Sequence, residues 1–172
     1  MRITSFLFLL GMFSSCEESK EISSYHPNHW EDHYVNSETF GKTSDSLIVG
    51  KSYLSIYSHI YSISMEKSQS LTAMVSLRNV SDVDTIYISK ADYYNTKGEL
   101  IRSYFKKPIY LKPLETVEII IDETDNQGGS GANFIFEWTT KYTMPEPFFE
   151  AIMTSLRSSQ GLSFTTVGRR VE

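Results

Sequence analysis

A chain of 172 residues with 40% hydrophobic and 13% aromatic content has the material for one domain with its own core. Its single cysteine excludes an internal disulfide, and a net charge of -5 with no basic stripe sets nucleic acid aside as a partner. No run approaches the roughly 20 apolar residues that a membrane-spanning helix takes.

The first segment reads as a leader, residues 1–15. Arg2, the apolar run Phe6 to Phe13 and the pair Ser14-Ser15 supply the positive start, short apolar core and small residues of a secretory signal. Cys16 follows at once. The arrangement resembles the bacterial lipobox, which implies cleavage between Ser15 and Cys16, diacylation of the Cys16 thiol (palmitate or a similar chain) and acylation of the new amino terminus. Two or more acyl chains hold a protein stably on a membrane. Cys16 is thus the expected lipid attachment, and the expected location is the bacterial cell envelope, at the outer membrane on its periplasmic or surface face. A plain secretory signal or an ordinary amino-terminal helix is the alternative, since Phe13 stands where leucine is usual.

Residues 16–50 read as an acidic, disordered tether. Seven acidic side chains (Glu17, Glu18, Glu21, Glu31, Asp32, Glu38, Asp45) face two basic ones (Lys20, Lys42), and no apolar period runs through them. Such a stretch buries too little surface to offset its ordering entropy. Glu17-Glu18-Ser19-Lys20-Glu21 resembles an acidic export signal for surface lipoproteins of some Gram-negative bacteria, and reads equally as a solvated spacer. Within the tether, His26, His29 and His33 lie close to Glu31 and Asp32. Imidazoles at this spacing are ligands for zinc, copper or nickel, although no cysteine or second cluster completes a closed site.

From Lys51 onward the period is two, and residues 51–172 read as the folded domain. Leu71, Ala73, Val75 and Leu77 alternate with Thr72, Met74, Ser76 and Arg78, as in a strand with one face on a core. Turn residues Asn79 to Asp84 before Thr85-Ile86-Tyr87-Ile88 predict a hairpin, and a second hairpin is expected at Asn95-Thr96-Lys97-Gly98, where Gly98 can take a positive φ. Val117, Ile119 and Ile121 mark another strand. Further strands are predicted near residues 52–62, 100–110, 133–140, 149–156 and 162–167, with a short helix after Pro147 as the less favoured reading of its segment. About eight strands without a convincing amphipathic helix predict an all-β fold, a single antiparallel β-sandwich of immunoglobulin-like character.

Two constellations are candidate ligand sites. Alternation from Tyr53 places Leu54, Ile56 and Ile60 on one face and Tyr53, Tyr57, His59 and Tyr61 on the other, a platform suited to a protein or glycan ligand unless another element covers it. The glycine-rich run Asp125, Asn126, Gly128, Gly129, Ser130, Gly131 and Asn133 frees the backbone to converge its amides on an anion and offers oxygens to calcium. Its structural alternative is a long hairpin loop with a glycine bulge. No phosphate-loop helix follows, because Phe134-Ile135-Phe136 reads as strand. Asn79-Val80-Ser81 matches a glycosylation acceptor, discounted for a bacterial lipoprotein.

Enzyme signals are few. His59 is the only histidine outside the tether, and no Gly-x-Ser-x-Gly elbow appears. A hydrolase would need Asp125, His59 and Ser130 to converge in the fold. No cofactor is implied.

Taken with their order and spacing, Tyr57-Ser58-His59-Ile60-Tyr61, Leu77-Arg78-Asn79, Asp92-Tyr93-Tyr94, Gly98, Lys107-Pro108, Gly128 to Phe134, Trp138, Glu150-Ala151 and Gly161 to Phe164 resemble a bacterial envelope family catalogued as domain of unknown function number 3124. The likeness spans residues 51–170. It implies a small β domain with no assigned activity or cofactor, and transfers no catalytic residue. The sequence thus points to a lipid-anchored, non-catalytic binding or structural module, with a metal-handling lipoprotein using the tether histidines as the alternative.

Overall fold

A computed structural model describes residues 30–35, 46–157 and 160–172. Residues 1–15, expected as a leader, and Cys16, His26 and His29 lie outside the described residues. The described residues form twelve strands, two 3-10 turns and no α-helix: β1 (Leu47–Ile56), β2 (His59–Ser62), β3 (Ser64–Ser70), β4 (Thr72–Arg78), β5 (Ile86–Tyr94), β6 (Leu100–Ser103), β7 (Ile109–Leu111), β8 (Thr116–Ile121), β9 (Ala132–Lys141), β10 (Phe148–Arg157), β11 (Gln160–Val167) and β12 (Arg169–Arg170).

All pairings are antiparallel. One sheet runs β12-β1-β9-β5-β6, with β7 on the other half of the same β5 edge; the second runs β11-β10-β4-β8. The expected all-β sandwich is therefore what the chain adopts. The pairs β4–β8 and β5–β9 are those of the B–E and C–F strands in an immunoglobulin sandwich. Here, however, β1 lies on β9 and β10 on β4, so the first long strand and β10 have exchanged sheets.

Alternation builds the core as expected. Leu54, Ile56, Phe134, Phe136, Trp138, Ala91 and Tyr93 point inward from one sheet, and Ala73, Val75, Leu77, Val117, Ile119, Ile121, Phe149, Ala151 and Met153 from the other, all essentially inaccessible. A file of rings crosses between them: Tyr93 on Phe134 at 5.1 Å, Phe134 on Phe136 at 5.3 Å, and Phe136 on Phe149 of the facing sheet at 4.2 Å. Trp138 donates its Nε1 proton to Ser52 Oγ at 3.0 Å, which satisfies the one polar atom that this large side chain buries. Gly50 lies opposite Trp138, and any Cβ there would fall 2.2 Å from the indole.

Four differences from the sequence reading have local causes. The hairpin expected around Asn79 to Asp84 is a crossover between the sheets, because buried Asn79 fixes its loop to the carbonyls of Asp84, Leu111 and Lys112 and β4 and β5 lie in different sheets. The single strand expected over 52–62 breaks at Tyr57-Ser58. The Ser58 amide donates to Gly129 O and its carbonyl accepts from Leu71, so the chain leaves the sheet and β2 pairs with the unforeseen β3 as a separate two-stranded ribbon. The strand expected over 100–110 is two pieces, β6 and β7, around the turn before Pro108. Finally, the tether is not featureless up to residue 50. β1 already starts at Leu47, and a 3-10 turn at Trp30–His33 sits on β7, with a Tyr34–Ile109 bridge and the Val35 amide donating to Pro108 O at 2.9 Å.

The connectivity gives the sandwich two ends. At the tether end lie the start of β1, residues 30–35 and the loops 79–85, 111–115 and 142–147. At the far end lie the β2–β3 ribbon, the glycine loop, the Asn95 turn and the β10–β11 turn. A ten-residue strand such as β1 spans about 33 Å, which sets the distance between them.

Candidate functional site

The far end brings together part of what the sequence marked. In the ribbon, His59 is paired with Ser70 and Tyr61 with Ser68, so these four share one face. The two rings meet edge to face at 5.9 Å, and Tyr61 is 60% exposed. Ser70 Oγ donates to Asn126 Oδ1 at 3.4 Å, which sets the glycine loop beside this face. The longer tyrosine row does not form. Tyr57 turns at the strand break to pack on Phe164 of β11 at 5.8 Å, and Tyr53 stays on the outer face of β1, under the Arg169 guanidinium.

The glycine loop is wired inward. Arg102 donates from both terminal nitrogens to Asp125 Oδ2 at 3.1 and 3.2 Å, and the Gln127 amide donates to Oδ1. The Asp125 side chain is fully buried. Thr96 ties the loop down: its amide and hydroxyl both donate to Gly128 O, and its Oγ1 accepts from the Gly131 amide. Gly128 passes so close to the core that a Cβ would meet Tyr93 Oη at 1.9 Å. Gly129 takes φ +78, a value glycine adopts without strain. Asn133 accepts from the Tyr53 hydroxyl and donates to Gly131 O at 3.1 Å. The Gly129 and Gly131 amides, two of the donors an anion nest would use, are thus spent within the fold, the first on Asn126 O. Ser130 lies in the 3-10 turn Gly129–Gly131. Beneath the loop, the hydroxyls of Tyr93 and Ser58 share a hydrogen bond at 3.0 Å, and burial pushes the Tyr93 phenol up to about 12.

Of the three tether histidines, His33 is described. Its Nε2 lies 2.9 Å from Glu115 Oε1, its ring tilts on Tyr110 at 5.5 Å, and its Nδ1 is buried. Burial works against ionisation of Glu115, yet the His33 ring and the Lys112 amide together hold its carboxyl below the usual value. Among the described residues, no group of three or more His, Cys, Asp or Glu side chains is placed to hold a metal ion.

A cluster on the outer face of β5 was missed. A bulge between Ile88 and Lys90 switches the inward phase from Ile86 and Ile88 to Ala91 and Tyr93, so that Lys90, Asp92 and Tyr94 share the outer side. Ser103 Oγ donates to Asp92 Oδ1 at 2.7 Å and the Tyr94 hydroxyl to Oδ2 at 3.4 Å, while Lys90 pairs with Glu137 at 3.0 Å. The hydrogen bond that Lys90 donates to Glu137 raises the Lys90 pKa; burial, then the Asp92 charge, raises that of Tyr94. Each of these polar groups is satisfied by another in the cluster. The spacing Lys90-x-Asp92-x-Tyr94 was the available signal, hidden by the bulge that shifts its phase.

Residues 49–171 match the family described as protein of unknown function (DUF3124). The chain is a member of the DUF3124 family. Comparison with curated proteins and with solved structures gave no match. The DUF3124 segment takes in both sheets, the ribbon and the glycine loop, and begins two residues into β1. The seated residues 30–35 precede it, so the His33–Glu115 contact joins a segment outside the DUF3124 match to the DUF3124 domain.

Proposed function

We propose that this DUF3124 protein is a lipid-anchored, non-catalytic binding module of the bacterial cell envelope, held through Cys16 and engaging a protein or glycan at its far end. The observation that carries the reading is the polarity of the fold. The chain that leads back to Cys16 lies on β7 at the tether end, while the exposed His59–Tyr61 face, flanked by Asn126, stands about 33 Å away on a ribbon that belongs to neither sheet. Amphipathic rings beside serine hydroxyls and an amide suit a neutral polar ligand. Against catalysis, the acid of the conceivable triad, Asp125, is committed to Arg102.

The anchor is tested in bacteria. Cys16→Ser is expected to abolish labelling by a palmitate analogue and to release the protein from membranes; persistent attachment would overturn the anchor. For the ligand surface, Tyr61→Ala with Asn126→Ala is expected to lose capture of a soluble glycan or peptidoglycan fragment that the unaltered chain binds, with its thermal midpoint unchanged. Equal capture by the variant would remove the ribbon from the proposal.

A further inference from the structure

We propose that the tether end is a membrane-resting face, on which loops 79–85, 111–115 and 142–146 lie against a lipid surface. The loops are argued from the structure alone; only their sharing one bilayer with Cys16 rests on the anchor proposed above.

Four apolar side chains stand out of this end: Val80 is 45% exposed, Val83 67%, Leu114 68% and Tyr142 73%. They are held in a fixed relation, because the three loops are bolted together. Asn79, itself buried, donates from Nδ2 to the carbonyls of Asp84, Leu111 and Lys112, and its Oδ1 accepts from the Ser81 amide. Those bonds also consume the amide of the apparent glycosylation acceptor. The Leu114 amide donates to Ser81 O, the Ser81 hydroxyl reaches Met144 Sδ at 3.7 Å, and Lys141 pairs with Asp84 at 2.9 Å.

Leu114 carries the argument furthest. It sits at φ +59, a region that favours glycine or asparagine, and its isobutyl group projects into solvent. The fold gains nothing from an aliphatic side chain there, whereas a lipid surface would. Tyr142 suits the headgroup level, where an amphipathic ring has one wet and one apolar side. The loops carry no basic excess: Asp84 is met by Lys141 and Glu146 by Arg170, while Asp82 and Glu115 outnumber Lys112. Attraction to the surface is therefore apolar and largely indifferent to anionic lipid.

Four side chains on three separate loops offer far less than the roughly 1,000 Å² of a specific protein interface, but shallow insertion into a bilayer needs only a few. Continuity with the tether points the same way. The Tyr142 amide donates to Ser46 O, and Glu115 holds His33, so the chain toward Cys16 touches the very loops that carry the apolar residues.

The test uses chain 17–172, which keeps every described residue, with sucrose-loaded vesicles of phosphatidylcholine alone or mixed with phosphatidylglycerol. Co-sedimentation is expected with both, within about threefold of each other. The triple variant Val83→Ser, Leu114→Asn, Tyr142→Ser should bind about tenfold more weakly or worse, with its thermal midpoint kept. Ile63→Ser with Leu156→Ser, at the far end where these residues are 96% and 83% exposed, should bind as the unaltered chain does. Absence of binding to either vesicle, or equal loss in the far-end variant, overturns the face. Palmitate-analogue labelling of the full chain reads the anchor separately. Vesicle binding without labelling removes the shared bilayer and keeps the face, and labelling without vesicle binding does the reverse.

Discussion

Replacing Gly128 by alanine is expected to destabilise the domain by about 2 kcal/mol. Gly128 has φ -66 and ψ -36, so alanine meets no backbone penalty and by restricting the unfolded chain even contributes roughly 0.4–1 kcal/mol in favour. The cost is steric. The added methyl would lie 1.9 Å from Tyr93 Oη, 2.6 Å from Ser58 Oγ and 2.8 Å from Ala132 Cβ. Tyr93 cannot swing aside, being fully buried and stacked on Phe134. Overpacking of this kind costs about 1–3 kcal/mol, and loss of the Tyr93–Ser58 hydrogen bond adds about 1.

The assay is urea denaturation followed by fluorescence of the buried Trp138, alongside a melting curve, in which about 2–4 °C is lost per kcal/mol. Tyr93→Phe removes the oxygen nearest to the new methyl. In that background Gly128→Ala should cost about 1 kcal/mol less than it does alone, a coupling that independent sites do not show. A Gly128→Ala change within about 0.5 kcal/mol, or full additivity with Tyr93→Phe, would refute the close approach. Gly131→Ala is the contrast: its nearest neighbour is the Thr96 side chain at 3.4 Å, an adjustable contact.

The remaining predictions concern charge. Arg102→Met leaves the Asp125 carboxylate buried without its cation and is expected to cost about 3 kcal/mol, read by urea denaturation; adding Asp125→Asn should restore part of it, and no restoration would mean that Arg102 acts through packing instead. Because the folded state raises the Tyr93 phenol from 10.0 to about 12, the stabilisation belongs to the neutral form. It is complete below pH 10 and lost as pH climbs to about 12, so Tyr93→Phe should flatten the fall in stability across that window. Glu115 has the opposite sign: its lowered pKa contributes stability above its ordinary value of 4.5, lost as pH falls below it. Protection of the Val35 amide, its exchange relative to an unstructured chain at the same pH, should therefore fall below that pH, and Glu115→Gln should lower it at neutral pH as well.

The sheets were legible because a strand's side chains alternate and the core takes one side, which is information local to each segment. Leu71 to Leu77 and Val117 to Ile121 could be read without knowing what they face. The ribbon was not legible for a corresponding reason. Ser64 to Ser70 has no apolar alternation, since it lies on no core, and the break at Tyr57 is imposed by Gly129, far along the chain. The β5 cluster was hidden by one bulged residue, which turns Lys90, Asp92 and Tyr94 outward when unbroken alternation from Ile86 and Ile88 would have pointed them at the core.

The glycine loop shows where composition misleads. Three glycines in four residues are what an anion nest needs, and also what a loop needs when it must pass within contact of Tyr93 and Thr96. Composition cannot separate these, because both demand the absence of a side chain. What separates them is where the amides and carbonyls go. Gly128 O is taken by Thr96, Gly129 O by Ser58, and the Gly129 and Gly131 amides by Asn126 and Thr96. Backbone groups spent on holding strand ends together are not free for an anion. The loop is therefore the floor on which the ribbon stands, and of its marked residues Asn126, which reaches the ribbon through Ser70, is the one set beside the His59–Tyr61 face.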